Sequence, residues 1–371
     1  MSKNLCLVIN VAAIYRAPIF KMIDQEFGCD FFIGDKVGYP IKLMNYNELK
    51  GFKEILKFKK LFNNFYWQSG AISLVFRPYK TFIITGEPYC ISTWILLIFA
   101  KILKKKTVLW SHGWYGRESR IKKIIKKIFF SLSTKVMLYG DHARNLMINE
   151  GFKQDKIFCI YNSLDTNNQV KIRQTLNYTS IYKDHFGNND PVILFIGRLD
   201  QFKKLDKLIL CLRLLHQKKI NCNLIIIGSG EEESNLSELV SKHKLNSKVW
   251  FYGPSYNEEK LGDLIFNANV GVTPGVIGLT VLHCFAYGVP FIGHNNFTKQ
   301  GPEFESITPN LTGDFFKEDC VEDMCEKIIP WLKLSKSQRN NVKQHCYDVI
   351  ENKYNPNNQI KLKMIREKMV L

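Results

Sequence analysis

The sequence predicts an α/β protein with two doubly wound, mostly parallel sheets. Three observations lead there. The 371-residue chain is too long for one ordinary core, so two domains are expected. Apolar runs of strand length alternate with segments of helical period along the chain. One stretch, Thr273 to Gly293 (TPGVIGLTVLHCFAYGVPFIG), with the run before it, contains the whole repeat. Asn269–Val272 reads as a buried strand. Gly275 and Gly278 then open an apolar helix, Pro290 closes it, and Phe291-Ile292 begins the next strand.

The other elements follow in order. Leu5–Val11 is an apolar strand, and NVAAIYRAPIF is a turn into a helix. Asp30–Gly34 is a second strand. Residues 41–80 mix aromatic and basic residues without a clear period and are read only as partly helical. Thr81–Thr85 is a strand, and Gly86-Glu87-Pro88 signals a helix start. Thr107–Trp110, Val136–Leu138 and Ile157–Tyr161 are further strands. In the second half, Val192–Ile196, Asn223–Ile227 and Val249–Tyr252 are strands. Between and after them, helices run to about Lys219, over Glu231–Lys244 and over Asn257–Asn267. The acids in the first turn of the Glu231 helix suit its dipole.

The expected domains are 1–170, a linker at 171–190, 191–345, and a C-terminal helix at 346–371 that can cross back to the first domain. The linker rests on the polar, Asn-rich stretch that ends in GNNDP.

The net charge is +18, and it is uneven. Residues 1–190 carry 29 Lys and Arg against 14 Asp and Glu, or +15; the remainder carries 23 against 20, or +3. A basic first half implies an anionic partner there. In Arg120–Phe130 (RIKKIIKKIFF), Ile121, Ile124, Ile125, Ile128 and Phe129 share one helical face. Lys122, Lys123, Lys126 and Lys127 fill the other. Two readings follow: an apolar stripe on the core with lysines in water, or a cationic patch for anionic lipid headgroups. The expected partner is an anionic membrane surface met through this helix. No nucleic-acid module surrounds it, so nucleic acid is not expected.

Ile91–Leu103 is too short and too interrupted to span a bilayer. The start, MSKNLCLVINVAA, reads as a first buried strand rather than a signal peptide. The ten cysteines are scattered, without C-x-x-C, as in a reduced cytosolic protein. The expected location is cytoplasmic and peripheral on the inner membrane face.

In doubly wound sheets ligands sit at the carboxyl ends of the strands. The informative loops are Gly197–Lys204, Gly228–Gly230, Pro274–Gly278 and Gly293–Glu305. Arg198 offers a planar fork for phosphate oxygens and Lys203 a point charge. They could hold a diphosphate, or they could be solvated surface cations. Gly228-x-Gly230 is half a dinucleotide fingerprint without its ribose acid. Walker A, D-x-D, G-x-S-x-G and H-E-x-x-H motifs are absent. A phosphorylated donor handled without cofactor or metal is the expectation. His283, with Leu279, Leu282 and Phe285 around it, could equally be a core histidine that has found a partner.

The order of these loops carries a resemblance. FIGRLDQFKKLDKLI, LIIIGSGEEESNL, VWFYGPSYNEEKLGDLIFNANVGVTPG and GLTVLHCFAYGVPFIG together resemble the C-terminal domain of retaining GT-B glycosyltransferases of the glycogen-synthase-like family 4. The likeness covers roughly residues 190–315. The first half resembles the family more loosely, through Ser111-His112-Gly113 and IYNSLD.

The resemblance implies a GT-B fold, two facing Rossmann-like domains with a nucleotide-sugar in the cleft between them. It implies a retaining transfer to a lipid-linked or growing glycan in surface polysaccharide (O-antigen or capsule-like) assembly. Arg198 and Lys203 match the family's diphosphate-binding pair. Gly197, Gly228, Gly230, Gly278, Leu279 and Thr280 line the donor loops, and the amides at Val276–Leu279 would face the phosphates. The family's Glu-x7-Glu motif is missing: Gly275 stands at the first Glu and His283 at the second. His283 would meet the ribose hydroxyls, and Glu303 or Glu305 would replace the other acid. A subgroup with G-L-T-x-x-H at this place resembles the present pattern. His112 would face the donor sugar and Arg16 the acceptor side, with Asn162 a further candidate. Two other readings stay open: a non-catalytic nucleotide-sugar-binding or scaffold subunit, and a GT-B nucleotide-sugar epimerase.

Overall fold

The computed structural model describes residues 4–35 and 41–361. The chain divides into two compact units. The first runs to Asp165 and resumes at Asn355; the second is Thr166–Tyr354.

In the first unit the order is β1 (Leu5–Ile9), α1 (Ala17–Phe27), β2 (Asp30–Gly34), β3 (Phe52–Leu56), β4 (Phe58–Lys60), β5 (Tyr66–Gln68), β6 (Thr81–Thr85) and α2 (Ile91–Ile102). It continues with β7 (Lys106–Ser111), α3 (Arg120–Leu132), β8 (Lys135–Leu138), α4 (Asp141–Asn149) and β9 (Ile157–Cys159). Seven strands form one parallel sheet in the order β3-β2-β1-β6-β7-β8-β9. Every residue of β1 and β2 is buried. Such continuous apolar runs mark strands covered on both faces. The strand order reverses between β1 and β6, so the loops after these two strands part and leave a crevice.

The second unit begins with α5 (Thr166–Thr175) and α6 (Ile181–Phe186). Then come β10 (Val192–Ile196), α7 (Leu205–Gln217), β11 (Asn223–Ile227), α8 (Glu233–Lys242), β12 (Val249–Gly253), α9 (Glu258–Asn267), β13 (Val270–Val272), α10 (Thr280–Ala286), β14 (Phe291–His294), β15 (Gly313–Phe316), α11 (Val321–Leu332) and α12 (Lys336–Asn352). Its six-stranded parallel sheet has the order β12-β11-β10-β13-β14-β15, with the reversal between β10 and β13. The two doubly wound sheets are those the sequence predicts.

Residues 41–80 carry both strand and helix: β3 joins the sheet edge, β4 pairs antiparallel with β5, and Tyr46–Glu48 and Ile72–Phe76 are 3₁₀ helices. Lys53, Glu54 and Ile55 are exposed on that edge strand, which hides its period. Three other local expectations are corrected. The helix after β6 starts at Ile91, not at Pro88, because Glu87 is spent on a turn closed by Cys90 N–H. The stretch 171–190 is not a bare linker. It carries the second half of α5 and all of α6, anchored by buried Gln169 earlier in α5 and by the Tyr182 hydroxyl donating to the Leu264 carbonyl at 2.6 Å. Finally, 346–371 is not one helix: α12 ends at Asn352, and Pro356 starts α13 (Pro356–Lys361) within the first unit.

Helix α3 runs to Leu132, beyond its expected end, and its isoleucines turn outward. Phe129 and Phe130 are buried, while Ile121, Ile124, Ile125 and Ile128 are exposed. Lys126 is the residue turned inward, at 2.6 Å from Glu118, and Lys123 and Lys127 pair with Glu150. The core-stripe reading of the helix therefore fails, while Arg120 and Lys122 keep cations exposed on it. Among the described residues no helix is long and apolar enough to cross a membrane.

Helix α13 is tied down by one side chain. Buried Gln359 accepts from the Ser163 hydroxyl at 2.7 Å and donates to the Tyr161 carbonyl at 2.8 Å. Removing it takes the acceptor from the buried Ser163 hydroxyl and one donor from the Tyr161 carbonyl. Gln359→Ala should therefore lower the unfolding free energy by about 1–3 kcal/mol, read as a lower urea midpoint at unchanged slope; an unchanged midpoint would contradict this anchor.

Candidate functional site: two loop clusters at strand carboxyl ends

In the second unit the loop after β10 brings Arg198, Asp200 and Lys203 to the point of strand reversal. It is held there by backbone pairing. Gly275 N–H donates to the Lys203 carbonyl at 3.0 Å, and Val276 N–H to the Phe202 carbonyl at 3.1 Å. The Lys203 ammonium closes the clasp by donating to the Val276 carbonyl at 2.6 Å. Burial pushes the Lys203 pKa down; Asp200 and Glu303 oppose that shift, and Arg198 adds to it. Arg198 keeps more than half its side chain exposed, with a guanidinium nitrogen 3.6 Å from Asp200. Lys203 is thus an oriented cation and Arg198 a reachable one, on the same loop.

The clasp explains Gly275. A Cβ there would lie 1.8 Å from the Phe202 carbonyl oxygen. The missing first glutamate is therefore sterically excluded, and the neighbouring loop occupies its place. Gly228 and Gly230 have similar reasons: added Cβ atoms would meet the carbonyls of Gly197 at 1.8 Å and Leu199 at 2.3 Å. Their role in this structure is close backbone approach. Gly278 is different, with open space around it. Glu303 is buried in the 3₁₀ turn Pro302–Ser306, and its charge acts on Lys203. Glu305 is half-buried in the same turn.

The helix expected from Gly275 is shorter than predicted: α10 begins at Thr280, after Leu279. The amides of Gly275, Val276 and Ile277 already have acceptors, the last being Gln300 Oε1 at 2.7 Å. The expectation of free amides at Val276–Leu279 is corrected accordingly. Only those of Gly278, Leu279 and Thr280 remain without an acceptor among the described residues. The Thr280 hydroxyl donates to the Ile196 carbonyl and ties α10 to β10.

His283 points at Glu258 in the first turn of α9, with Nε2 2.9 Å from Oε1. The same oxygen accepts from the Tyr287 hydroxyl at 2.8 Å and from Gln169 Nε2 at 3.0 Å. Burial pushes the Glu258 carboxyl up, but bonds from His283, Tyr287 and Gln169 outweigh it and hold the carboxyl below its usual range. Sequence reasoning missed Glu258. The available signal was an acid directly after Asn257, whose side chain caps α9.

In the first unit a cavity of about 900 Å³ opens at the ends of β1, β6, β7 and β8. His112 and Arg16 both line it. Arg16 donates to the Tyr139 hydroxyl and lies over the Trp110 and Tyr139 rings at 5.5 and 5.4 Å. The His112 ring sits 4.7 Å from Tyr139. Its pKa is pushed down to about 4, by the enclosure of the cavity first and then by the charges of Arg16 and Lys126. His112 presents its exposed surface to that cavity as a neutral imidazole. Across the reversal Asn10 Nδ2 donates to Glu87 Oε1 at 3.0 Å, and Tyr66 also bonds to Glu87. The sequence did not single out Glu87 as a site residue. Asn162 is buried, and its Oδ1 accepts from Ser163 N–H beside the α13 anchor.

Two clusters thus stand at strand ends: Arg198, Lys203 and Glu303 in one unit, and His112 and Arg16 in the other. Residues 177–347 match the family model described as glycosyl transferases group 1. Among curated relatives, an uncharacterized glycosyltransferase of Haemophilus influenzae is 24% identical over 239 residues, 62% of this chain and 60% of that protein. An uncharacterized 41.2 kDa protein in the cps region of Klebsiella pneumoniae is 23% identical over 63% of this chain and 57% of that protein. The chain therefore spans under two thirds of the length of these relatives. The crystal structure of Anabaena HepE in complex with UDP superposes with a TM-score of 0.74 at 12% identity, covering 99% of both chains. That likeness is one of fold: the GT-B class expected from the sequence.

The Glu258 cluster gives a pH-dependent prediction. A carboxyl lowered in the folded state adds stability above its unfolded pKa, and that stability is lost as pH falls through the folded value. The stability gap between wild type and Glu258→Gln should shrink as pH drops from about 5 to about 3. Urea midpoints across that range measure it; a constant gap would contradict the assignment.

Proposed function

We propose that the chain is a retaining glycosyltransferase. It moves a sugar from a nucleotide-sugar donor to a lipid-linked or growing glycan acceptor in surface-polysaccharide assembly. The observation that carries this reading is the Arg198–Lys203 loop, clasped to Val276 at the strand reversal of a sheet whose residues match a glycosyltransferase family model. The cps-region relative supports the polysaccharide setting. The UDP in the HepE crystals supports a nucleotide-sugar donor and makes UDP the first ligand to test.

The chemistry follows from charge. When the sugar–phosphate bond breaks, negative charge grows on the leaving diphosphate. Lys203 is held in place beforehand, so it stabilises that charge without reorganising. Arg198 adds two parallel donors. Neither step calls on a metal or cofactor in this proposal. Gly197, Gly278, Leu279 and Thr280 border the phosphates. His283 and Glu258 together would meet the ribose hydroxyls, so the carboxylate lost from the motif returns from α9. Glu303, or Glu305 beside it, would face the donor sugar. Neutral His112 can accept or give one hydrogen bond to a sugar hydroxyl. Arg16 would hold an anionic group of the acceptor.

A second reading is favoured by one observation. Gly275 has no room for the first motif glutamate. A subunit that binds nucleotide-sugar without transferring it is consistent with that. The two readings separate in an assay of nucleotide release from UDP-, GDP-, dTDP- and CMP-sugars with a lipid-linked glycan extract. Transfer with one donor class is expected, and Arg198→Ala or Lys203→Ala should each lower kcat by about 10²–10³-fold. Full activity in both variants would remove the assigned roles. Binding with no release from any donor would favour the non-catalytic subunit.

A further inference from the structure

The first unit exposes an apolar surface on two neighbouring helices. On α3, Ile121, Ile124, Ile125 and Ile128 are 71%, 59%, 41% and 52% exposed. Their spacing puts all four within one stripe of the helix. Phe129, at the edge of this stripe, and Phe130, on the far side, are buried, and the Lys126–Glu118 pair turns inward. A helix that needed only a core would bury its isoleucines and expose its lysines. Here Lys123, Lys126 and Lys127 pair with acids of the protein, Lys122 stays exposed, and the four isoleucines face outward.

Helix α2 repeats the pattern. Ile98, Phe99 and Ile102 are exposed on it, as is Leu103 just beyond, and Ile102 is 67% exposed. The two helices are neighbours: Trp94, one turn before Ile98, has its ring 5.0 Å from that of Phe129. Exposed Phe76 extends the surface, 5.4 Å from Phe99. Adjoining apolar rows on two helices exceed what scattered surface residues require.

Positive charge surrounds this surface. Arg120 and Lys122 stand exposed on α3, and Lys101 and Lys104 at the end of α2. Lys156, which donates to the Ser131 carbonyl in the last turn of α3, feels the charges of Lys101 and Lys135. The half of the chain that bears this surface carries the +15. Apolar rows rimmed by cations complement an anionic bilayer, whose headgroups meet the rim and whose acyl region takes the isoleucines.

We infer that the α2–α3 face of the first unit inserts its isoleucines into an anionic lipid bilayer, with the surrounding lysines and arginines on the headgroups. Ile121 and Ile125 belong both to this face and to the wall of the His112 cavity. A lipid-borne acceptor would thus reach the cavity from the bilayer side. That last step rests on the transferase reading; the docking does not.

The test is co-sedimentation with vesicles of phosphatidylcholine alone and of phosphatidylcholine with phosphatidylglycerol, using wild type and an Ile124→Asp/Ile128→Asp double variant. Neither residue lines the cavity. Wild type should bind the anionic vesicles and retain part of that binding as salt rises, because insertion is not screened. The double variant should lose about tenfold or more, at unchanged melting temperature and unchanged UDP affinity. Equal binding by both proteins would overturn insertion and return the face to a headgroup patch. Absence of wild-type binding to any vesicle would overturn it too. So would a wild-type dimer in sedimentation velocity that the double variant abolishes, since the face would then belong to a second copy. Failure to bind UDP in either protein would count against the donor reading and leave the docking result standing.

Discussion

The Lys203 ammonium against the Val276 carbonyl is the contact on which the second unit's site depends. It joins the loop after β10 to the loop after β13, the two strands between which the order reverses. Without it, two backbone hydrogen bonds would hold a partly buried cation that lacked its acceptor. With it, the charge is fixed before any ligand arrives, and fixed charge is what a leaving diphosphate exploits. The cost is steric. The same close approach leaves no space for a side chain at 275. One constraint thus accounts for an oriented lysine and for a motif glutamate that cannot exist here.

The His283 cluster joins two helices of the second unit. Glu258 on α9 stands against His283 on α10, fixed by three donors on one carboxylate oxygen. In the first unit the cavity sets the chemistry differently. Desolvation and the charges of Arg16 and Lys126 hold the His112 pKa low, which leaves the ring neutral near neutral pH.

The architecture was legible because buried parallel strands read as plain apolar runs: VILFI and NLIII are fully formed strands within one residue of expectation. The position of the Arg198–Lys203 loop at a strand end was legible from the apolar run before it; the clasp of Lys203 on Val276 was not, since the sequence equally allowed solvated surface cations. The shortness of α10 was not, since nothing local announces that Gly275 and Val276 would pair with Phe202 and Lys203. Glu258 was hidden for the same reason: its partners lie on α5 and α10, far along the chain. Helix α3 is the most instructive failure. Its period was plain, but period alone does not say which face turns inward. That was decided by Phe129, Phe130 and the acids Glu118 and Glu150, which draw the lysines to the protein.

The central claim is that Lys203, clasped to Val276, provides a diphosphate site in the second unit. Calorimetric titration of UDP into wild type and Lys203→Ala, without added metal and in the presence of a chelator, addresses it most directly. Saturable binding by wild type is expected, with a loss of about tenfold or more in the variant, since a charge-assisted bond of roughly 1.5–3 kcal/mol is removed. Equal affinity in the two proteins would contradict it, because the diphosphate would then be held without the contact on which the rest is built.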